Sequence, residues 1–142
     1  MRVREVTWAA EGERLWALRE AVFVREQAVP PSLEWDGLDE RARHFLAEDD
    51  AGDGQSLALG TARLLEDGHV GRVCVLAPAR GRGVGGALLR AAVAAARAAG
   101  APRVWLTAQV RAIPFYEAHG FTAEGPEFDD AGIPHRLMVL QR

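Results

Sequence analysis

Hydrophobic and polar positions recur with two different periods along this chain, and the switches between them mark its elements. Val3 to Trp8 predicts a first strand, and from Glu11 to about Val24 the residues Leu15, Leu18 and Val22 return at helical spacing. Pro30, Pro31 and Gly37 interrupt the segment from Gln27 to Asp39, which reads as loop with a broken helical turn. His44 to Glu48 and Ser56 to Leu65 predict two strands joined by the polar turn DDAGDG, an antiparallel hairpin, and Val70 to Leu76 predicts a central strand. Val84 to Ala99 is an alanine-rich helix with Leu88, Leu89, Ala92, Val93 and Ala96 on one face, stopped by Gly100. Val104 to Leu106 predicts another strand, Pro114 opens a short helix that ends at Gly120, and Phe121 to Glu124 and Leu137 to Leu140 supply the last strands. The order predicts a mixed α/β sheet with helices on both faces.

Composition narrows the function classes. The 142 residues carry 49% hydrophobic content, enough for one core, and no repeat or linker divides them, so residues 1–142 read as a single domain. No apolar run approaches the roughly 18 residues of a membrane span, and MRVREVTW lacks the apolar segment of a signal peptide; the expectation is a soluble, cytoplasmic protein without a membrane partner. The one cysteine, Cys74, has no internal disulfide partner, and the four histidines show no metal-ligand spacing, so no metal is expected. A net charge of −3 with no long basic tract argues against nucleic acid.

The candidate chemistry lies where the central strand meets the alanine-rich helix. Arg80, Gly83 and Gly85 stand in the order R-x-x-G-x-G, removing side chains where backbone amides must close on an anion at a helix N-terminus. Gly81, Gly83 and Gly86 also read as G-x-G-x-x-G, but the strand that follows runs into Thr107, Ala108 and Gln109 with no carboxylate before Glu117, against a dinucleotide site. All 17 basic residues are arginine, so the lysine of a Walker-type loop is missing. Coenzyme A is the remaining diphosphate cofactor, and Arg80 and Arg82 suit its phosphates.

With these residues the chain resembles the GCN5-related N-acetyltransferases, whose central motif is [R/Q]-x-x-G-x-[G/A] between a strand and a helix. The segment from Gln109 through IPFYEAHGF is similar to that family's later tyrosine motif, and VFVREQAVP, the run from Glu34 to His44, and EFDDAGIPHRLM resemble its small bacterial ElaA-like branch. The resemblance implies a mostly antiparallel sheet with a central splayed strand pair, and acetyl-CoA as cosubstrate. It implies cofactor contacts at Val73, Cys74, Val75, Arg80, Gly81, Arg82, Gly83, Val84, Gly85, Gly86, Gln109, Phe115 and Tyr116, with backbone N–H near Val75 polarising the thioester carbonyl. It also implies a small-molecule or peptide amine as acceptor, and allows a homodimer.

Tyr116 falls at the position that assists the departing thiolate, with ordinary packing as the alternative. An acceptor amine of pKa about 10.4 lies about 3.4 units from neutrality at pH 7, or about 4.6 kcal/mol, so a proton acceptor is required. Glu26, Glu34, Asp39, His44 and His135 are its candidates from the resemblance. Against them stand a solvated acidic loop for Glu34, Asp36 and Asp39, and satisfied structural histidines for His44 and His135. An acidic rim would also attract a cationic amine. Trp35 is either core or acceptor wall, Gln109 either orders the site or caps a strand, and His69 and His119 read as structural or solvated. The first reading is direct acetyl transfer to a primary amine. An amino sugar phosphate acceptor is a second, disfavoured by the acidic run, and a noncatalytic acyl-CoA-binding module is a third.

Overall fold

The computed structural model describes residues 1–141. Strand β1 (Arg2–Val6) leads into helix α1 (Trp8–Arg19), whose start is fixed by Thr7: its hydroxyl accepts the Ala10 N–H at 3.2 Å. Trp8, predicted as the end of the strand, is the first helical residue. The helix continues as a π-helical segment, Glu20–Glu26, followed by the four-residue helix α2 (Pro31–Glu34). Strands β2 (Arg43–Gly52) and β3 (Gln55–Leu64) form a longer hairpin than the polar run DDAGDG suggests. The turn is made by Asp53 and Gly54 alone, both at positive φ, so the preceding acidic residues pair as strand. Strand β4 (Val70–Val75) ends in a 3-10 turn, Ala77–Ala79, before helix α3 (Val84–Ala98). Strand β5 (Trp105–Gln109), a 3-10 turn, helix α4 (Ile113–Glu117), and strands β6 (Phe121–Asp130) and β7 (Ile133–Leu140) complete the chain.

The strands form two antiparallel sheets, ordered β1-β2-β3-β4 and β5-β7-β6. They meet only where β4 and β5 begin: a parallel bridge joins His69 to Trp105, and the Trp105 N–H donates to Gly68 O at 3.1 Å. A Cβ on Gly68 would lie 1.9 Å from the Arg103 carbonyl oxygen, so only glycine permits this approach. Beyond the junction the two strands run without pairing, which leaves a V between the sheets.

Helices cover both faces. Leu88, Leu89, Ala92 and Ala96 of α3 pack with Val70, Leu106 and Met138 on one side, while Leu15 and Leu18 of α1 pack with Val6, Leu46 and Cys74 on the other. Val70 and Cys74, four residues apart, would share a face in a regular strand. They lie in opposite cores because β4 carries an extra residue: Thr61 pairs with Cys74 and Arg63 with Gly71, and within that bulge Arg72 adopts φ +51°.

Candidate active site

The V opens into a cleft of about 630 Å³. Its β4 edge offers backbone rather than side chains. Leu76 N–H donates to Leu59 O of β3, so by strand alternation the amide and carbonyl of Val75 face away from β3 into the opening, where Arg80 Nε reaches the Val75 carbonyl at 3.0 Å. The side chains of Val73 and Val75 pack toward the α3 core and Cys74 lies in the α1 core, 4% exposed. Burial pushes the Cys74 thiol up to about 12, so no thiolate is available there as a nucleophile.

The glycine loop enters α3 through Gly83, the N-cap, at φ +79° with Gly81 at +81°; a Cβ at either would meet nothing within 4 Å, so the requirement is conformational. The first hydrogen bond of the helix runs from Ala87 N–H to Gly83 O, and the amides of Val84, Gly85 and Gly86 precede it without intrahelical acceptors. That cluster of donors at a helix N-terminus fits a phosphate. Arg80 and Gly85 line the cleft. Arg80 forms a two-pronged pair with Glu26 at 2.7 Å on each arm, and Arg82 turns to Asp49 at 3.0 Å.

On the β5 side, α4 presents Phe115 and Tyr116 to the cleft. Tyr116 is wedged edge-on between Phe115 and Phe121, at centroid distances of 5.0 and 6.1 Å. Burial, with a smaller contribution from Cys74, raises its phenol to about 12. Gln109 Nε2 donates to Gln27 Oε1 at 2.7 Å, spanning the opening between the end of β5 and the end of the π-helical segment.

The proposed proton acceptors separate into two groups. Glu26, Glu34 and His135 line the cleft; Asp39 and His44 do not. His44 is 1% exposed, lies tilted at 37° against Trp8 and donates from Nε2 to the Asp39 carbonyl at 2.8 Å, and burial lowers its pKa. Glu34 is 3% exposed and bound by Arg19 Nε at 2.8 Å and Arg72 Nε at 2.9 Å. His135 is better placed. Its Nδ1 lies 2.7 Å from the Ile133 carbonyl, an acceptor only, so Nδ1 carries the hydrogen and the neutral ring keeps a lone pair on Nε2.

The acidic run is not a free acidic rim. Arg19, 1% exposed, holds Glu34 and Asp39; Arg63 holds Asp36 at 2.8 Å and Asp39 at 3.2 Å; Arg72 holds Glu34 and reaches Asp36 at 3.4 Å. Three cations thus face three carboxylates. Burial disfavours the Asp36 charge, but the Arg63 bonds, the Leu38 amide and Arg72 outweigh it and hold the carboxyl at about 2. Trp35 stacks on Trp16 at 5.2 Å with the Arg19 guanidinium 5.0 Å from its ring, away from the cleft wall.

Among the polar lining residues, Gln27, His69, Arg72, Thr107, Arg111 and Asp130 were not singled out for the cleft from the sequence. His69, read as structural or solvated, stacks on Trp105 at 4.0 Å where the V closes, and burial lowers its pKa. Its signal was the pairing of the EDGH turn with the next strand, which spacing alone does not reveal. Among the described residues no group of three or more histidine, cysteine or carboxylate side chains is placed to hold a metal, and no helix is long and apolar enough to cross a membrane.

Comparison with known proteins agrees with this architecture. The Acetyltransferase (GNAT) domain family matches residues 9–142. An uncharacterized N-acetyltransferase of Bacillus subtilis, YjcF, is 40% identical over 124 residues, 86% of each chain. An acyl-CoA N-acyltransferase from Pseudomonas aeruginosa superposes with a TM-score of 0.82 at 33% identity over 99% of both chains. Escherichia coli ElaA does so with 0.85 at 27% identity, over 99% of this chain and 100% of its own. A cleft between parting strands, a glycine loop at a helix start and a family match over nearly the whole length lead to one conclusion: this chain is a member of the GCN5-related N-acetyltransferase family, an acyltransferase.

Proposed function

We propose that this protein transfers an acetyl group from acetyl-CoA directly to the primary amine of a small molecule or peptide. The observation that carries the reading is the unpaired V itself, where the Val75 backbone edge and the Arg80–Gly86 loop on the β4 side face Tyr116 and His135 on the β5 side. The free amides of Val84, Gly85 and Gly86 suit the diphosphate, and the Val75 edge suits the amide-bearing arm, which would add to β4 like a further strand; Arg80 would join them only by leaving Glu26. Acetyl-CoA supplies an activated thioester carbonyl when bound. The ammonium first loses one proton to water; the neutral nitrogen then forms the new C–N bond as the C–S bond breaks, a second proton leaves nitrogen, and a thiolate departs.

His135 Nε2 takes the amine proton in this reading, because the Ile133 carbonyl holds the tautomer with its lone pair free. Tyr116 donates a hydrogen bond to the departing sulfur. With burial pushing its phenol up to about 12, well above a thiol at about 8.5, complete transfer of the phenolic proton is strongly uphill. Tyr116 therefore acts as a fixed neutral donor rather than as a proton source. The buried Cys74 thiol supports transfer without an acyl-cysteine. Arg72, one of three arginines that line the cleft, is occupied by Glu34 and Asp36 and is not free for the phosphate of an amino sugar.

Free-thiol release from acetyl-CoA, measured with and without a panel of amines, tests the reading. Amine-dependent release is expected, and Tyr116→Phe should lower kcat about 10- to 100-fold while the acetyl-CoA Kd stays within about twofold. Tight acetyl-CoA binding with no amine-dependent release would replace it by a noncatalytic acyl-CoA-binding module. His135→Gln should lower kcat about 100-fold and leave the acetyl-CoA Kd unchanged.

A further inference from the structure

The acceptor half of the cleft has walls of two kinds. Glu34, Asp36 and Asp39 of the acidic loop are each neutralised by Arg19, Arg63 or Arg72, which weakens the field that would concentrate a polycation. Of the three carboxylates that line the cleft, Glu26 is held by Arg80 and Glu34 by Arg19 and Arg72. Asp130, at the end of β6, has no ion-pair partner among the described residues. Phe23, Val29, Leu33 and Ile133 form an apolar stretch of the lining, beside the polar side chains of Gln27, Thr107, Gln109 and Arg111.

Two large side chains, Leu33 in the cleft lining and Phe128 stacked on the lining His135, also break the usual placement of apolar residues. Leu33 on α2 is 52% exposed and Phe128 on β6 is 42% exposed. They belong to opposite halves of the molecule: α2 is tied to β4 through Glu34 and Arg72, whereas Phe128 pairs with His135 in the β6–β7 ladder and stacks on its ring at 5.9 Å. His135 in turn pairs with Gln109 of β5. An apolar surface that continues from a cleft wall past the candidate proton acceptor is suited to a part of the acceptor molecule that does not react.

We propose that the acceptor is a primary monoamine carried on an apolar aryl or alkyl body, with the body between Leu33 and Phe128 and the incoming ammonium drawn to Asp130. This rests on the acetyltransferase reading above. One carboxylate matches one ammonium, and two exposed apolar side chains match one compact apolar group. A polyamine or aminoglycoside would bring charges that find no further free carboxylate in the cleft.

Thiol release from acetyl-CoA is compared for 2-phenylethylamine and hexylamine against spermidine and kanamycin. The expected kcat/KM is at least about tenfold higher for the two apolar monoamines. Leu33→Asp and Phe128→Asp, both at exposed positions that tolerate a charge, should each raise the monoamine KM about tenfold and leave the acetyl-CoA Kd unchanged. Asp130→Asn should raise the same KM several-fold and flatten its salt dependence. Preference for spermidine or kanamycin overturns the inference while leaving the acetyltransferase reading intact. So does a Leu33→Asp protein that converts from dimer to monomer in sedimentation velocity with its monoamine KM unchanged, since the exposed apolar side chains would then form an interface between copies. Failure of every amine, with acetyl-CoA still raising the Tm, overturns both.

Discussion

The two sides of the cleft are built from different materials. Toward α3, the features suited to the cofactor are backbone: the Val75 edge, positive-φ glycines and the unpaired amides of a helix start. Toward α1 and α2, the walls are set by side chains, three arginines against three carboxylates with aromatic rings against Arg19. Backbone geometry tolerates substitution wherever φ is ordinary. A buried ion-pair network does not, because deleting one member strands its partners in a medium that solvates charge poorly.

The largest test of that contrast is Arg19→Met. It removes a fully buried guanidinium that touches Glu34 and Asp39, and about 3–5 kcal/mol of stability should go with it, read from urea unfolding midpoints. The fraction still folded at low temperature should bind acetyl-CoA with an unchanged Kd; weaker binding would show that the two sides are not independent. Gly83→Ala acts on the other side and is smaller. No atom lies in the way of the new methyl, so the cost is the left-handed φ alone, about 1–2 kcal/mol, expected as a weaker acetyl-CoA Kd with the amine KM unaffected. The smallest effect is in acid. The Asp36 carboxyl sits at about 2 in the folded protein against an ordinary 3.8, so its stabilisation is complete above about pH 4 and is lost as pH falls toward 2. Equilibrium unfolding of Asp36→Asn should show a shallower loss through that window than the parent chain.

The same division governs what the sequence made legible. RGRGVGG and IPFYEAHGF announce themselves because glycine before a helix and proline at a helix start are local signals, and helix α3 runs almost as its periodicity predicts. The acidic loop misleads as a free rim because its partners are distant in sequence: Arg19 lies 15 residues from Glu34, and Arg63 lies 27 from Asp36. The last hairpin is longer than Phe121 to Glu124 and Leu137 to Leu140 because its turn uses Ala131 at φ +55° before Gly132, without the Asn-Gly or Asp-Gly pair that marks such turns. Asp130, Phe128 and His135 are carried by that hairpin, so their neighbourhood stayed hidden with it. The helix predicted from Glu11 to Val24 hides the change to π-helical winding after Arg19, which apolar spacing does not register.

The extra residue at the Arg72 bulge works like a single-base insertion in a reading frame. Upstream of it, even-numbered positions of β4 belong to the α3 core, as Val70 does; downstream the parity inverts, and even-numbered Cys74 belongs to the α1 core. Deleting one residue here would not shorten the strand gently. It would put every later side chain out of phase, sending the valines of the groove into the opposite core and the cysteine into the place they vacate.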